Sequence, residues 1–115
     1  MTVLSAGSER PHAPSLALPM LLVFGCEESP CCRAMQKNLH WFAERHVGHL
    51  TVRRIDVWDD PQMSIDHEVL TVPTMILEIA GHEAARLAGY TSRRRLILRL
   101  EPLLYNDLLQ RTHNA

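Results

Sequence analysis

The stretch Leu21-Leu22-Val23-Phe24-Gly25-Cys26-Glu27-Glu28-Ser29-Pro30-Cys31-Cys32-Arg33-Ala34-Met35 constrains the chain most, because it passes from an apolar run through a short turn into a cysteine-bearing helix start. The continuous run Leu21 to Phe24 suits a strand covered on both faces better than a half-exposed one. Ser29 has the chemistry of an N-cap and Pro30 that of a first helical residue, since proline loses no needed N–H there and its φ is already helical. Beyond them Met35, Leu39, Phe42 and His46 recur at three- and four-residue steps, which gives the helix one mostly apolar face. Cys31 and Cys32 therefore fall in the first helical turn, where unpaired N–H groups and the positive end of the macrodipole stabilise a thiolate.

At 115 residues the chain has room for one domain with a sizeable core, divided into an irregular segment 1–19 and a folded domain 20–115. Its 12 basic and 13 acidic side chains leave a formal charge of -1, so net charge implies no nucleic-acid partner. The three cysteines are odd in number and clustered, unlike a disulfide framework spread over a small secreted fold. A reactive or metal-binding thiol group in a reducing compartment, the cytoplasm, is the expectation. No run approaches the roughly 20 apolar residues that span a bilayer, so no membrane partner is expected. Leu16 to Phe24, ending in Val23-Phe24-Gly25-Cys26, faintly resembles a lipoprotein cleavage site. Against it, Pro19 interrupts the run, the preceding flank is not positively charged, and cleavage would delete the central strand.

Taken in order, residues Met1 to Pro19 are rich in glycine, serine and proline and read as loop, with Thr2-Val3-Leu4 at most a short edge strand. The first helix should run from Pro30 to about His46 and stop at Gly48. Leu50 to Val57 reads as a second strand, and strand-helix-strand implies parallel pairing. Asp59-Asp60-Pro61 opens a short helix with its body at Gln62 to Val69. Met75 to Ala80 is an apolar strand, and Gly81-His82-Glu83 a hairpin turn into Ala84 to Ala88. Ser92 caps a last helix whose Leu96, Leu100 and Leu103 share a face, and Pro102 should end or kink it near Arg99 to Glu101. The sum is an α/β sandwich around a four-stranded mixed sheet flanked by helices.

The strand-turn-helix with cysteine at the helix start, together with Val72-Pro73-Thr74 before an apolar strand, resembles the thioredoxin family. In that family a Cys-x-x-Cys opens a helix, and an Ile/Val-Pro-Thr with a cis peptide bond faces it. The resemblance runs ungapped from about Leu21 to Leu100 and implies a thioredoxin-like sandwich whose N-terminal strand and helix are reduced or absent. It implies Cys32 at the family's second, resolving cysteine and Ser29 at its first, with Cys31 in place of the usual proline. Glu28 stands at the tryptophan before the motif, and Val23 at a strand aspartate that assists proton transfer. Val72 and Pro73 are implied to border the cysteines and pair with a bound peptide.

Helix-terminal placement favours the thiolates of Cys31 and Cys32, whereas Glu27 and Glu28 oppose them by like-charge repulsion. Ser29 is not redox-active and reads as the cap. Cys26 can pair with Cys31 or Cys32 across the turn if the Cα atoms come within about 7 Å. Alternatively Cys31 is a single exposed thiol that forms mixed disulfides, with Cys32 on the core side. A bond between Cys31 and Cys32 is disfavoured because neighbouring helical side chains diverge by about 100°. The bland alternative makes all three small buried hydrophobes. Zinc is disfavoured: His46 and His49 have helical ligand spacing but sit at the far end of the helix from the cysteines. Arg93-Arg94-Arg95 reads as a solvated helix start before an anion site.

These readings converge on a thioredoxin-like thiol-disulfide oxidoreductase or redox-responsive protein that acts on protein disulfides through Cys31 and Cys32, with Cys26 as partner. The expected partners are protein thiols and disulfides and a thioredoxin-reductase-like or glutathione electron donor; no cofactor or metal is expected. The alternative is a non-catalytic thioredoxin-fold module that holds a partner's extended segment near Pro73 by β-augmentation.

Overall fold

The computed structural model describes residues 17–113. The edge strand considered at Thr2-Val3-Leu4 lies outside the described residues, as does most of the irregular segment 1–19.

Strand β1 (Met20–Gly25) has all of Leu21 to Phe24 buried, as its unbroken apolar run requires. It is followed by α1 (Pro30–Arg45), β2 (Thr51–Asp56), α2 (Pro61–Asp66), β3 (Thr74–Ile79), β4 (His82–Ala88) and α3 (Arg93–His113). The sheet order is β2-β1-β3-β4. β1 and β2 pair in parallel from Met20↔Thr51 to Gly25↔Asp56, and β3 lies antiparallel to both β1 and β4. This is the four-stranded mixed sheet of a thioredoxin-like α/β sandwich.

Alternation along β1 supplies two cores. Leu21 and Val23 join Met35, Leu39 and Phe42 of α1 and Leu96, Leu100 and Leu104 of α3 on one face. Leu22 and Phe24 join Ile55, Ile76 and, near α2, Met63 and Val69 on the other. Each fully buried Leu or Phe contributes roughly 1.5–3 kcal/mol relative to an exposed one, so β1 is held from above and below. The C-terminal end of α1 is tied to α3: Glu101, 5% exposed, accepts from Arg45 Nε at 2.5 Å and meets His46 Nε2 at 2.7 Å.

Several boundaries differ from the sequence expectation, each for a local reason. The second helix ends at Asp66 rather than Val69, because Glu68 takes φ 55, which an α-helix cannot continue. The hairpin turn is Ala80-Gly81, with φ 54 and 81, rather than Gly81-His82-Glu83. Two successive positive φ values make the two-residue type I′ geometry, and Ile79 pairs directly with His82. A register shift between Leu77 and Glu78 then leaves Ala84 unpaired opposite β3.

The last helix neither ends nor restarts at Pro102 but continues to His113. Pro102 and Leu98, whose carbonyl loses its donor, both lie on the exposed face, where water can satisfy that carbonyl. Leu96, Leu100 and Leu104 anchor the helix on both sides of the proline. Leu104 thus takes the core place expected for Leu103, which is only partly buried.

Candidate redox site

A tight turn and a helix cap shape the segment between β1 and α1. The Ser29 N–H donates to the Cys26 carbonyl at 3.2 Å, and the Cys32 N–H donates to Ser29 Oγ at 3.2 Å. Ser29 has φ -80 and ψ 120, the extended backbone of an N-cap, and Pro30 is the first helical residue. Arg33 Nη1 donates to the Glu27 carbonyl at 2.6 Å, which closes the turn from the helix side. Cys26 thus sits on a loop tied to the helix start, and Cys31 and Cys32 sit in the first turn of α1.

All three thiols are free, but their surroundings differ: Cys31 is exposed, whereas Cys26 and Cys32 are half-buried. Cys32 packs over Gly25, where an added Cβ would lie 3.0 Å from its sulfur. Cys26, Cys32 and Pro73 line one cavity of about 480 Å³, and Cys31 is not among its lining residues. Sequence reasoning left Cys26 open to a link with either Cys31 or Cys32; the cavity lining holds Cys26 and Cys32 and leaves Cys31 outside.

Pro73 is buried at the entry to β3, behind a cis Val72–Pro73 bond. Its carbonyl accepts the Gly89 N–H at 2.7 Å, and Thr74 Oγ1 donates to the Thr71 carbonyl at 2.7 Å. These bonds fix the Pro73 turn against the end of β4. Val72 is half-buried and does not line the cavity.

Several lining residues went unnoticed as site residues in the sequence, Gly25, Arg54 and Asp56 among them. Arg54 stands opposite Val23 and Asp56 opposite Gly25 in the parallel register, so the two side chains share the α1 side of the sheet. Asp56 Oδ1 accepts the N–H of Trp58 at 2.8 Å, which orients its carboxylate. Gly25, ending a buried strand directly before a cysteine, carried the one available signal, since glycine in a strand marks close approach.

Among the described residues no group of three or more His, Cys, Asp or Glu is placed to hold a metal ion. His46, one of the two helical-spacing histidines, is engaged by Glu101 instead. In the Arg93-Arg94-Arg95 run, Arg93 lies over the Trp41 ring at 5.1 Å and donates to Asn38, while Arg94 and Arg95 are exposed. No helix is long and apolar enough to cross a membrane among the described residues.

A mixed sheet that delivers thiols to a capped helix start, with a buried proline turn lining the same cavity, defines a protein of the thioredoxin-fold class. Sequence comparison gives the same class. No protein-family model matches the chain. Thioredoxin of Alicyclobacillus acidocaldarius subsp. acidocaldarius is 30% identical over 86 residues, covering 75% of this chain and 82% of that protein. A bifunctional thioredoxin reductase/thioredoxin of Mycobacterium leprae is 28% identical over 88 residues, 76% of this chain and 19% of that longer protein. Thioredoxin of Mycobacterium tuberculosis is 26% identical over 88 residues, 76% of each chain. Among solved structures, one titled as thioredoxin-2, a component of malaria parasite protein secretion machinery, superposes with a TM-score of 0.68 at 17% identity. It covers 70% of this chain and 79% of its own; a second malarial protein gives 0.70 at 16%, covering 75% and 97%. The chain belongs to the thioredoxin family, and a thioredoxin-like redox role follows at that level.

Proposed function

We propose that the protein carries out thiol-disulfide exchange with other proteins through Cys31, Cys32 and Cys26. The observation that carries this reading is the shared cavity of Cys26, Cys32 and Pro73 at a serine-capped helix start. In the exchange, a protein thiolate attacks a substrate disulfide, forms a mixed disulfide and expels one substrate thiolate. A second cysteine displaces the other substrate sulfur and leaves a disulfide within this chain. Two electrons pass from the protein dithiol to the substrate, and its two thiol protons go to the released sulfurs. A thioredoxin-reductase-like donor or glutathione then returns the dithiol. The Val72–Pro73 backbone borders the approach of an extended substrate segment, by the family resemblance. The clustered thiols suit a reducing compartment, and on this reading the protein acts in the cytoplasm.

The test is reduction of insulin disulfides at fixed dithiothreitol. Wild type should accelerate precipitation of the insulin B chain, and Cys32→Ser should lose at least about tenfold of that rate, since the resolving step of exchange is removed. Unchanged rates in both Cys31→Ser and Cys32→Ser would sink the exchange reading. Partner capture that survives replacement of all three cysteines by serine would then favour a binding module.

A further inference from the structure

We propose that the redox pair of this protein is Cys26 and Cys32, joined across the cap loop, and that Cys31 stays outside it as a separate exposed thiol; this rests on the exchange reading above. The family's first cysteine position is occupied by Ser29, whose side chain is committed to capping α1 by accepting the Cys32 N–H. A partner for the Cys32 sulfur must therefore come from elsewhere.

The backbone folds toward Cys26. Two successive three-residue closures, Ser29 N–H to the Cys26 carbonyl and Cys32 N–H to Ser29 Oγ, bring the helix start back over the end of β1. There Cys32 meets Gly25, the residue directly before Cys26: an added Cβ would lie 3.0 Å from its Sγ and 3.6 Å from its Cβ. The absence of a side chain at Gly25 leaves room for that sulfur one residue along the chain from Cys26. Both thiols are half-buried and line the same cavity, whereas Cys31 is exposed and faces no part of it. Five residues, 27–31, separate the pair. A disulfide needs Cα atoms within about 4.4–6.8 Å, a range that a tight turn followed by a capped helix start can close.

With a low-molecular-weight disulfide such as oxidised glutathione as the oxidant, one thiolate of the pair attacks it, forms a mixed disulfide and releases one glutathione thiolate. The other thiolate displaces the second glutathione. Cys26 and Cys32 lose two electrons and two protons and gain one S–S bond, while the oxidant becomes two molecules of reduced glutathione.

The full-length chain is reduced, oxidised with excess oxidised glutathione, alkylated, and digested with an endopeptidase that cuts after glutamate. Cleavage at Glu27 and Glu28 puts Cys26 on one peptide and Cys31 with Cys32 on the next. The expected product is a cross-linked pair of those peptides, with backbone fragments between Cys31 and Cys32 assigning the bond to Cys32 in the unsubstituted protein. The cross-link should persist in Cys31→Ser and fall at least about tenfold in Cys32→Ser. A cross-link through Cys31, or a glutathione adduct on Cys31 without any cross-link, overturns the assignment and leaves the exchange reading standing. Three unreacted thiols overturn both.

Discussion

At the Ser29 position the side chain serves structure, and its removal has a defined cost. Ser29→Ala removes the acceptor of the Cys32 N–H and should destabilise the fold by about 1 kcal/mol, whereas Ser29→Gly should cost only a few tenths. Urea unfolding of the two variants checks the order; equal losses would mean that the cap bond contributes nothing. Gly25 is governed by packing rather than by backbone freedom, since an added Cβ would lie only 3.0 Å from the sulfur of Cys32. Gly25→Ala should therefore cost about 1–3 kcal/mol as an overpacking change. The same substitution made on a Cys32→Ala background should cost little, because the clashing atom is gone, and a double-mutant cycle reads this directly. A penalty that persists without the sulfur would show that the strain lies in the backbone.

Among the elements, α3 shows how tertiary contacts override a local rule. Pro102 breaks one backbone hydrogen bond, yet Leu96 and Leu100 before it and Leu104 after it keep both halves on the core. Pro102→Ala restores the missing N–H on an exposed face, so it should stabilise the protein by about 1–2 kcal/mol after the greater freedom of the unfolded chain is deducted. Thermal unfolding of this variant at a lower midpoint than wild type would count against an intact helix at that point. The same helix marks the limit of reading sequence by local signals. The β1 run, the Ser29-Pro30 start and the Ser92 cap were legible because each depends on neighbours in the chain, and Arg95 N–H does donate to Ser92 Oγ. The passage through Pro102 was not, because it depends on which face the sheet covers. The shift of the turn to Ala80-Gly81 depends likewise on the register of β3 against β4.

Across the whole molecule, the three cysteines and a Cys26 link to Cys31 or Cys32 were legible, but the approach of Cys32 to Gly25 was invisible, because it is set in space rather than by spacing along the chain. Glu101 was equally invisible, since its partners Arg45 and His46 lie more than fifty positions earlier. That clasp gives the protein a measurable acid response. The Arg45 hydrogen bond, helped by His46 and the positive charge of Arg45, holds the Glu101 carboxyl below its ordinary value of 4.5 despite burial. Around that pH the unfolded chain binds more protons than the folded one, so the clasp's contribution is complete above 4.5 and is lost as pH falls through the lower folded value. Glu83 shifts in the same direction through Arg86, but that pair is exposed enough for salt to screen it. The two arginines stay protonated throughout this range and add no slope. Unfolding free energies measured in 0.5 M salt, where screening is strong, should fall for wild type from about pH 4.5 down to 3. The Glu101→Gln variant should be less stable at neutral pH and distinctly flatter over that interval. Parallel curves for the two proteins would remove Glu101 as the origin of the acid response and would shift it to the remaining carboxylates.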